Sequence, residues 1–329
     1  MPVDKFSCGN RTQANRNSVM TLTVSLVTPE QQIVALRLLF ARFPIHEQPI
    51  RLTDAMQSAE RGSLNLDGLL IARENGQPVG AALAMHQQDG ISLVWPPVTS
   101  CQAVDSQAVE QGLMVRICDE IDLAGSQLAQ VLLAPDDISE IELLEKHRFE
   151  HSADIFFLAR PLTPDDLKGT PNDGTFEHDT FSQARIDRYE SVIERTYQGS
   201  LDCPFLNEFR NGRDAIVSHK LSGRFDPAGW RIYRIGEQDI GVMLMNEHPD
   251  QDAIELVYFG IVPEFRGRGL GRRLLADGLQ AAAITGRALL FLAVDCGNIY
   301  ANALYGEFGF EELARRRVMI RRSSRLARE

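Results

Sequence analysis

Cysteine, positive charge and long apolar runs are all scarce in this sequence. Its five cysteines are scattered, odd in number and without C-x-x-C spacing, which excludes a disulfide framework and a cysteine zinc site. No apolar run reaches the length of a membrane helix. A net charge of −11 argues against a general nucleic-acid binder. We therefore expect a cytoplasmic protein that binds neither nucleic acid nor a membrane and holds no metal.

The chain of 329 residues is long enough for two domains, each with a full core. Residues 1–19 are polar and lack the apolar centre of a signal peptide, so we expect a disordered arm there. Residues 163–178 are rich in Pro, Gly, Asp and Thr and have no periodicity, which is typical of a linker. The predicted domains are therefore residues 20–162 and 179–329.

The same order of predicted elements occurs on both sides of that linker. The segment I-A-R-E-N-G-Q-P-V-G, ending at Gly80, recurs as I-Y-R-I-G-E-Q-D-I-G, ending at Gly241. The segment L-L-E-K-H-R-F, ending at Phe149, recurs as L-Y-G-E-F-G-F, ending at Phe310. Subtracting 80 from 241 and 149 from 310 gives 161 in both cases. One offset at two distant positions indicates a duplicated domain, with chance similarity between two α/β domains as the alternative.

A stretch of the second half, residues 254–275, has the pattern of a phosphate site. An apolar run of strand length is followed by Arg266-Gly267-Arg268-Gly269-Leu270-Gly271 and then by a helix. Glycines adopt backbone angles closed to other residues, so several N–H groups can converge on one anion. The helix N-terminus adds free N–H donors and partial positive charge. The stretch therefore predicts an anion site, and a glycine turn that only packs the helix on the strand is the alternative.

This loop resembles the Arg/Gln-x-x-Gly-x-Gly/Ala loop of the GNAT (N-acetyltransferase) superfamily, which binds the pyrophosphate of acetyl-CoA. A second corner resembles the family pattern Asn-x-x-Ala-x-x-Leu-Tyr-x-x-x-Gly-Phe at every fixed position: Asn298, Ala301, Leu304, Tyr305, Gly309 and Phe310. The first half resembles the family faintly and has neither the glycine set nor the arginines after Val94–Val98. The resemblance implies an α/β fold of two GNAT-like domains with a degenerate N-terminal copy. Each would be a mixed, mostly antiparallel twisted sheet flanked by helices.

The resemblance also implies which residues contact acetyl-CoA, the expected co-substrate. The pyrophosphate would lie on the loop residues Arg266, Gly267, Arg268, Gly269, Leu270 and Gly271. The pantetheine arm would lie along Phe259, Gly260, Ile261 and Val262, and one of their N–H groups would hold the oxyanion. Asn298 would bond the arm or, alternatively, cap a helix.

Tyr305 and Glu255 are the candidate catalytic residues. A phenol has a pKa of roughly 10, close to that of a thiol, so Tyr305 could protonate the leaving thiolate; packing against the cofactor is the alternative. Glu255 stands in an apolar run, where partial desolvation favours a base, and at the position of the catalytic glutamate of histone-type members. The alternative for Glu255 is an exposed position at the edge of the sheet, and Asp295 is the second candidate for the base. Asp202 could hold a cationic amine, whereas Cys203 lacks a nearby base and is not expected to be a nucleophile.

The function predicted on this basis is N-acetyl transfer. An amine of a small molecule or peptide would attack acetyl-CoA directly in a ternary complex, without an acyl-enzyme. A longer acyl donor is one alternative. A CoA-binding sensor or interaction protein without turnover is another, and the presence of both Tyr305 and Glu255 favours the enzyme.

Overall fold

The computed structural model describes residues 21–62, 64–87, 90–168, 174–209 and 211–323. The arm predicted for residues 1–19 lies outside these ranges. In the first half the elements are β1 (Leu22–Leu26), α1 (Gln32–Leu39), α2 (Gln48–Glu60), β2 (Leu69–Glu74), β3 (Gln77–His86), β4 (Ile91–Thr99), α3 (Ser106–Leu123), β5 (Leu128–Leu133), α4 (Ile138–Lys146) and β6 (Glu150–Pro161).

The second half repeats this order of helices and strands. Its elements are β7 (Glu177–Thr180), α5 (Ile186–Tyr197), α6 (Gly212–Lys220), β8 (Arg224–Ile235), β9 (Gln238–His248), β10 (Ala253–Ile261), α7 (Leu270–Ile284), β11 (Leu289–Asp295), α8 (Ile299–Glu307) and β12 (Glu311–Arg322). Among these described elements, no helix is both long and apolar enough to cross a membrane.

The described strands form one sheet in the order β1-β2-β3-β4-β5-β12-β6-β11-β10-β9-β8-β7. Only β4 with β5 and β10 with β11 pair in parallel, and the other neighbouring strands are antiparallel. Helices flank this sheet, and separate apolar clusters lie beneath α3 in the first half and α7 in the second. The predicted α/β class with a mixed, mostly antiparallel sheet is confirmed.

The two halves exchange their last strands. Strand β6, the last of the first half, lies between β11 and β12, and Leu158 stands opposite Leu292. Strand β12, the last of the second half, lies between β6 and β5, and Met319 stands opposite Val131. A shared apolar cluster is buried along this exchange: Ile91, Leu128, Ala153, Val318 and Ile320. Each half therefore completes the sheet of the other.

The repeated residues occupy matching places in the two halves. Gly80 on β3 stands opposite Thr99 on β4, and Gly241 on β9 stands opposite Ile261 on β10. At either glycine an added Cβ would approach a carbonyl oxygen of the neighbouring strand within 3.1 Å or less. Phe149 and Phe310 are both buried just before the last strand of their half. The repeat therefore reflects a tandem architecture.

Two stretches differ in detail from the sequence pattern. Strand β4 continues through Pro96 and Pro97, although neither proline has a backbone N–H to give to a neighbouring strand. Its pairing with β5 stops at Leu93, and its pairing with β3 is irregular opposite Ala81–Leu83, so the missing N–H groups interrupt no regular ladder. Strand β7 begins at Glu177, inside the predicted linker.

We expect the two halves to be unable to fold separately. Residues 21–168 alone would lack β12 and residues 174–323 alone would lack β6, so each would expose the apolar cluster of the exchange. Size-exclusion chromatography and near-ultraviolet circular dichroism should find aggregated or unfolded pieces singly, and a folded 1:1 complex when they are co-expressed. The uncut chain is the control. A monomeric half with cooperative thermal unfolding would contradict the exchange.

Candidate active site

Strands β10 and β11 run side by side for only three residues before they separate. Their parallel pairing covers Ala253–Glu255 opposite Leu289–Phe291. Beyond it β10 stays paired with β9 as far as Ile261, with a bulge at Val257 that increases the local twist. The separation opens a cleft of about 780 Å³ that is lined by β10, the end of β11, α8 and the loop before α7.

On the side of β10 that faces away from β9, pairing with β11 ends at Glu255, so the later residues of β10 have no strand partner there among the described residues. The N–H of Val262 donates to the carbonyl of Ile240 at 3.0 Å, on the side of β9. Because successive N–H groups of a strand point to opposite sides, those of Ile261 and Phe259 point into the cleft. Phe259, Gly260 and Ile261 line the cleft, whereas Val262 is fully buried and does not. Of the four residues predicted along the pantetheine arm, three therefore lie where a ligand could pass.

The glycine loop at one end of the cleft has the geometry of an anion cradle. Gly267 and Gly269 have φ of 71° and 72°, and a Cβ added at either would meet no atom within 4 Å. The N–H groups of Gly267, Arg268 and Gly269 donate to no backbone carbonyl of the described residues. Because α7 begins at Leu270, the N–H groups of its first turn also lack helical partners. Open space and convergent donors fit a pyrophosphate.

The side chains of this loop and of the following turn point in different directions, some into the cleft and others away from it. The guanidinium of Arg268 lies over the ring of Phe265 at 4.9 Å, and neither Arg268 nor Leu270 lines the cleft. Arg272 lines the cleft and forms an ion pair with Glu307 of α8. Leu270 is buried in the core beneath α7. The glycines of the loop, together with Arg266 and Arg272, therefore line the cleft, whereas Arg268 does not.

Tyr305 lies in the wall of the cleft, on α8. Its ring is buried against Phe310, with ring centroids 5.4 Å apart. Burial, and after it the nearby negative charge of Asp202, raises the pKa of Tyr305 above its ordinary value. The phenol is therefore protonated at neutral pH, and its raised pKa makes it a weaker acid than an exposed phenol.

Asn298 has the position of a helix cap. Its side-chain oxygen accepts a hydrogen bond from the N–H of Ala301 at 3.2 Å, which satisfies one free donor of the first turn of α8. Asn298 also lines the cleft. The capping alternative thus has a direct contact in the structure, and a bond to the pantetheine arm stays a prediction.

Glu255 lies where β10 and β11 still pair, outside the residues that line the cleft. Its Oε2 is 2.8 Å from His248 Nε2 and also accepts a hydrogen bond from the Ser222 hydroxyl. The side chain retains 20% of its exposure, so it is half-buried rather than on a fully exposed edge. The structure thus does not bring Glu255 into contact with Tyr305, and a role as base requires an intervening water.

A second cavity, of about 170 Å³, adjoins the cleft. It is lined by Ile155, Tyr197, Asp202, Cys203, Leu206, His219, Val257, Tyr258, Ala293, Val294 and Asp295. Asp202 and Tyr258 belong to the lining of both cavities, so the two meet there. Burial raises the pKa of Asp202, whose Oδ1 accepts the N–H of Asp295 at 2.9 Å. The predicted acceptor residue Asp202 and the reserve base Asp295 are therefore neighbours.

Several residues of this second cavity were not singled out from the sequence, among them His219, Ile155 and Tyr258. The ring of His219 stacks on Tyr258 with centroids 5.6 Å apart, although His219 comes from α6. Ile155 comes from β6 and therefore from the first half of the chain. Tyr258 stands two residues before Gly260 on the predicted cofactor strand, and that position was the one available signal. For His219 and Ile155 no local pattern exists.

The first half fills the matching helix N-terminus with its own carboxylates. The Asp105 side chain accepts the N–H of Ala108 at 3.0 Å and caps α3. The buried carboxylate of Glu74 accepts the N–H groups of Val104 and Asp105 at 2.8 and 3.3 Å. These donors are the ones that an anion would otherwise use. The first half is therefore a degenerate copy in its structure as well as in its sequence.

Comparisons with known proteins agree with this geometry. Residues 193–310 match the model of the Acetyltransferase (GNAT) family. A mycothiol acetyltransferase of Kocuria rhizophila is 32% identical over 36% of this chain and 52% of its own length, so the chain spans about half of that relative. A mycothiol acetyltransferase of Streptomyces coelicolor is 25% identical over 88% of this chain and 91% of its own length.

A solved structure extends the likeness to the whole fold. It is described as a tandem GNAT protein from the clavulanic acid biosynthesis pathway. It superposes with a TM-score of 0.57 over 92% of this chain and 98% of its own, at 13% identity. Similarity at that level of identity concerns the fold and not the reaction. It supports the division of this chain into two halves built on one plan.

The glycine loop gives a direct test of the anion site. We expect Gly269→Asp to weaken CoA binding by about 100-fold, because a like charge would enter the cradle. Gly269→Asn is the matched control, since Asn also tolerates positive φ but carries no charge, and it should weaken binding far less. Isothermal titration calorimetry measures both. Equal affinity in the Asp variant and the unchanged protein would refute the assignment.

Proposed function

We propose that this chain moves an acetyl group from acetyl-CoA to an amine acceptor, since residues 193–310 match the model of the Acetyltransferase (GNAT) family. The observation that carries the proposal is the open cleft between β10 and β11. Among the described residues the N–H groups of the glycine loop have no backbone partner, and those of Phe259 and Ile261 point away from β9. A pyrophosphate fits the loop, and the pantetheine arm would continue along Phe259–Ile261 toward Tyr305. The acceptor would enter through the smaller cavity, where Asp202 and Tyr258 border both spaces.

The reaction would be a direct attack in a ternary complex. The neutral amine nitrogen forms a bond to the thioester carbonyl carbon, and the carbonyl oxygen becomes an oxyanion. The N–H of Phe259 or of Ile261 would hold that oxyanion, since both point into the cleft. The C–S bond then breaks, and the Tyr305 hydroxyl would give its proton to the leaving sulfur. The acylated nitrogen still carries one extra proton, which it releases to solvent, and solvent returns a proton to the phenolate.

The proton of the amine needs a separate route. An ammonium group must lose a proton before it can attack, and Glu255 is the proposed base. Its carboxylate lies outside the cleft lining, so the proton would pass through water. His248 and Ser222 hold one carboxylate oxygen in place, which leaves Oε1 for that water.

Thiol release tests the proposal directly. The protein is incubated with acetyl-CoA and a panel of amines, and free CoA is separated and quantified by liquid chromatography, because a thiol-bearing acceptor would react with a thiol reagent. The panel contains polyamines, amino acids, aminoglycosides, peptides and, because of the names of the relatives, the deacetylated form of mycothiol. A longer acyl-CoA is run in parallel to test the donor. Tight CoA binding with no release in any mixture would favour a CoA-binding sensor.

Replacement of Tyr305 separates chemistry from binding. We expect Tyr305→Phe to lower kcat about 100-fold or more, because the leaving thiolate loses its proton donor. CoA affinity should stay unchanged, since the ring and its contact with Phe310 remain. Stopped assays with the best amine of the panel give kcat, and calorimetry gives affinity. A kcat within threefold of the unchanged protein would leave Tyr305 with a packing role only.

Replacement of Glu255 should give a pH-dependent defect. We expect Glu255→Gln to slow acetyl transfer most at pH values where the acceptor is an ammonium ion. The defect should shrink as the pH rises through the pKa of the amine, because a neutral amine needs no base. Ser222→Ala is the control, since it removes one hydrogen bond but keeps the carboxylate. A loss of activity that is the same at every pH would argue against a base.

A further inference from the structure

We propose that Arg266 is a positioning residue whose guanidinium clamps residues 198–202, here called the acceptor strap, and that it does not ligate the phosphate. The proposal rests on the proposed function, because the strap borders the cleft and the smaller cavity in which donor and acceptor would meet. It departs from the expectation, drawn from the loop pattern, that Arg266 would hold the pyrophosphate.

The contacts of Arg266 are all to backbone carbonyls. Its Nε donates to Ile261 O at 2.9 Å, and its Nη2 donates to Thr196 O at 2.8 Å. Its Nη1 donates to Gln198 O at 2.7 Å and to Gly199 O at 3.2 Å. All three nitrogens of the guanidinium are therefore engaged, and its planar fork joins the end of β10 to the end of α5.

The position of these carbonyls explains why a cation is needed there. Helix α5 ends at Tyr197, so the last carbonyl groups have no helical N–H partner and carry partial negative charge. A guanidinium at this helix C-terminus satisfies several carbonyls at once. Gly199, with φ of 62°, turns the chain away directly beneath Arg266, and an added Cβ would lie 3.6 Å from Nη1.

The other end of the strap is tied to β11. The Asp202 Oδ1 accepts the N–H of Asp295 at 2.9 Å, and the Asp295 Oδ2 accepts the N–H of Cys203 at 3.1 Å. Cys203 has φ of 43°, a strained value for a residue other than glycine. The strap therefore bridges the two strands that separate, anchored beside β10 by Arg266 and at the end of β11 by this reciprocal pair.

This arrangement separates two roles within one sequence motif. Among the described residues the N–H groups of Gly267 to Gly269 have no backbone carbonyl partner, and the Arg266 side chain bonds carbonyls outside this loop. The strap residues Gly199, Ser200, Leu201 and Asp202 line the cleft, and Asp202 also lines the smaller cavity. Loss of Arg266 should therefore release the strap and disturb the acceptor side, while the phosphate cradle persists.

Hydrogen exchange and CoA titration of the full chain test the clamp without turnover. In Arg266→Gln and Arg266→Lys, we expect the amide hydrogens of residues 198–202 to exchange about tenfold faster than in the unchanged protein. The reason is that the carbonyl groups at the start of the strap lose the guanidinium that holds them in place. CoA affinity should stay within threefold in both. Arg268→Gln is the matched control from the same loop, and its strap should exchange at the unchanged rate.

The lysine variant separates the two roles. A lysine would still bind a phosphate as a point charge but cannot hold four carbonyls in a fork. If Arg266→Gln weakens CoA binding tenfold or more and Arg266→Lys restores it, Arg266 is a phosphate ligand and the proposal fails. It also fails if strap exchange is unchanged in both variants. Neither result depends on acetyl transfer, so a missing activity in the amine panel would leave this test intact.

A second variant keeps the test decisive if Arg266 variants do not fold. Asp202→Ala cuts the anchor at β11 and should accelerate strap exchange to the same extent. Where both single variants fold, the double variant should exchange no faster than either, because a strap released at one end has little order left to lose at the other. Additive acceleration would mean two independent contacts and would overturn the clamp.

Discussion

The fold of the second half depends on β11, which pairs with β6 along its whole length but with β10 only at its beginning. Strand β11 is paired with β10 over three residues only, yet it stays paired with β6 along its whole length, from Leu289 to Asp295. Strand β6 comes from the first half of the chain. Without it, the separation of β10 and β11 would leave the end of β11 without a partner. The cleft is therefore open because the first half holds its far wall.

Features that depend on contiguous residues could be predicted from the sequence. The anion cradle needs Gly267 and Gly269 with positive φ directly before a helix, and the whole arrangement is encoded in six letters. The position of Tyr305 follows from the same logic, because Asn298 caps a short helix that brings it to the cleft. The tandem plan followed from element order and from one repeated offset, whereas the mixed sheet was implied by the resemblance to the GNAT family.

Features that depend on residues far apart in the sequence could not be predicted from it. The apolar residues of β10 lie on both of its faces, so no pattern shows that Glu255 would meet His248 and Ser222 beside the cleft. The loop motif implied that Arg266 holds the phosphate, and nothing in that motif indicates that its guanidinium also bonds carbonyls at the end of α5, about seventy residues earlier. The strand exchange has no local signal, since each exchanged strand is an ordinary strand in its own half.

The exchange also orders events during synthesis. Strand β5 ends at Leu133, but β12, its partner in the sheet, ends only at Arg322. At roughly 5–20 residues per second, translation needs on the order of ten seconds or more to cover that separation. During this interval the sheet of the first half is incomplete, and the edge of β5 that later pairs with β12 is exposed. Contacts so far apart in sequence also make folding slow. The degenerate first half is thus the half whose sheet is completed only when the last strand of the chain has been made.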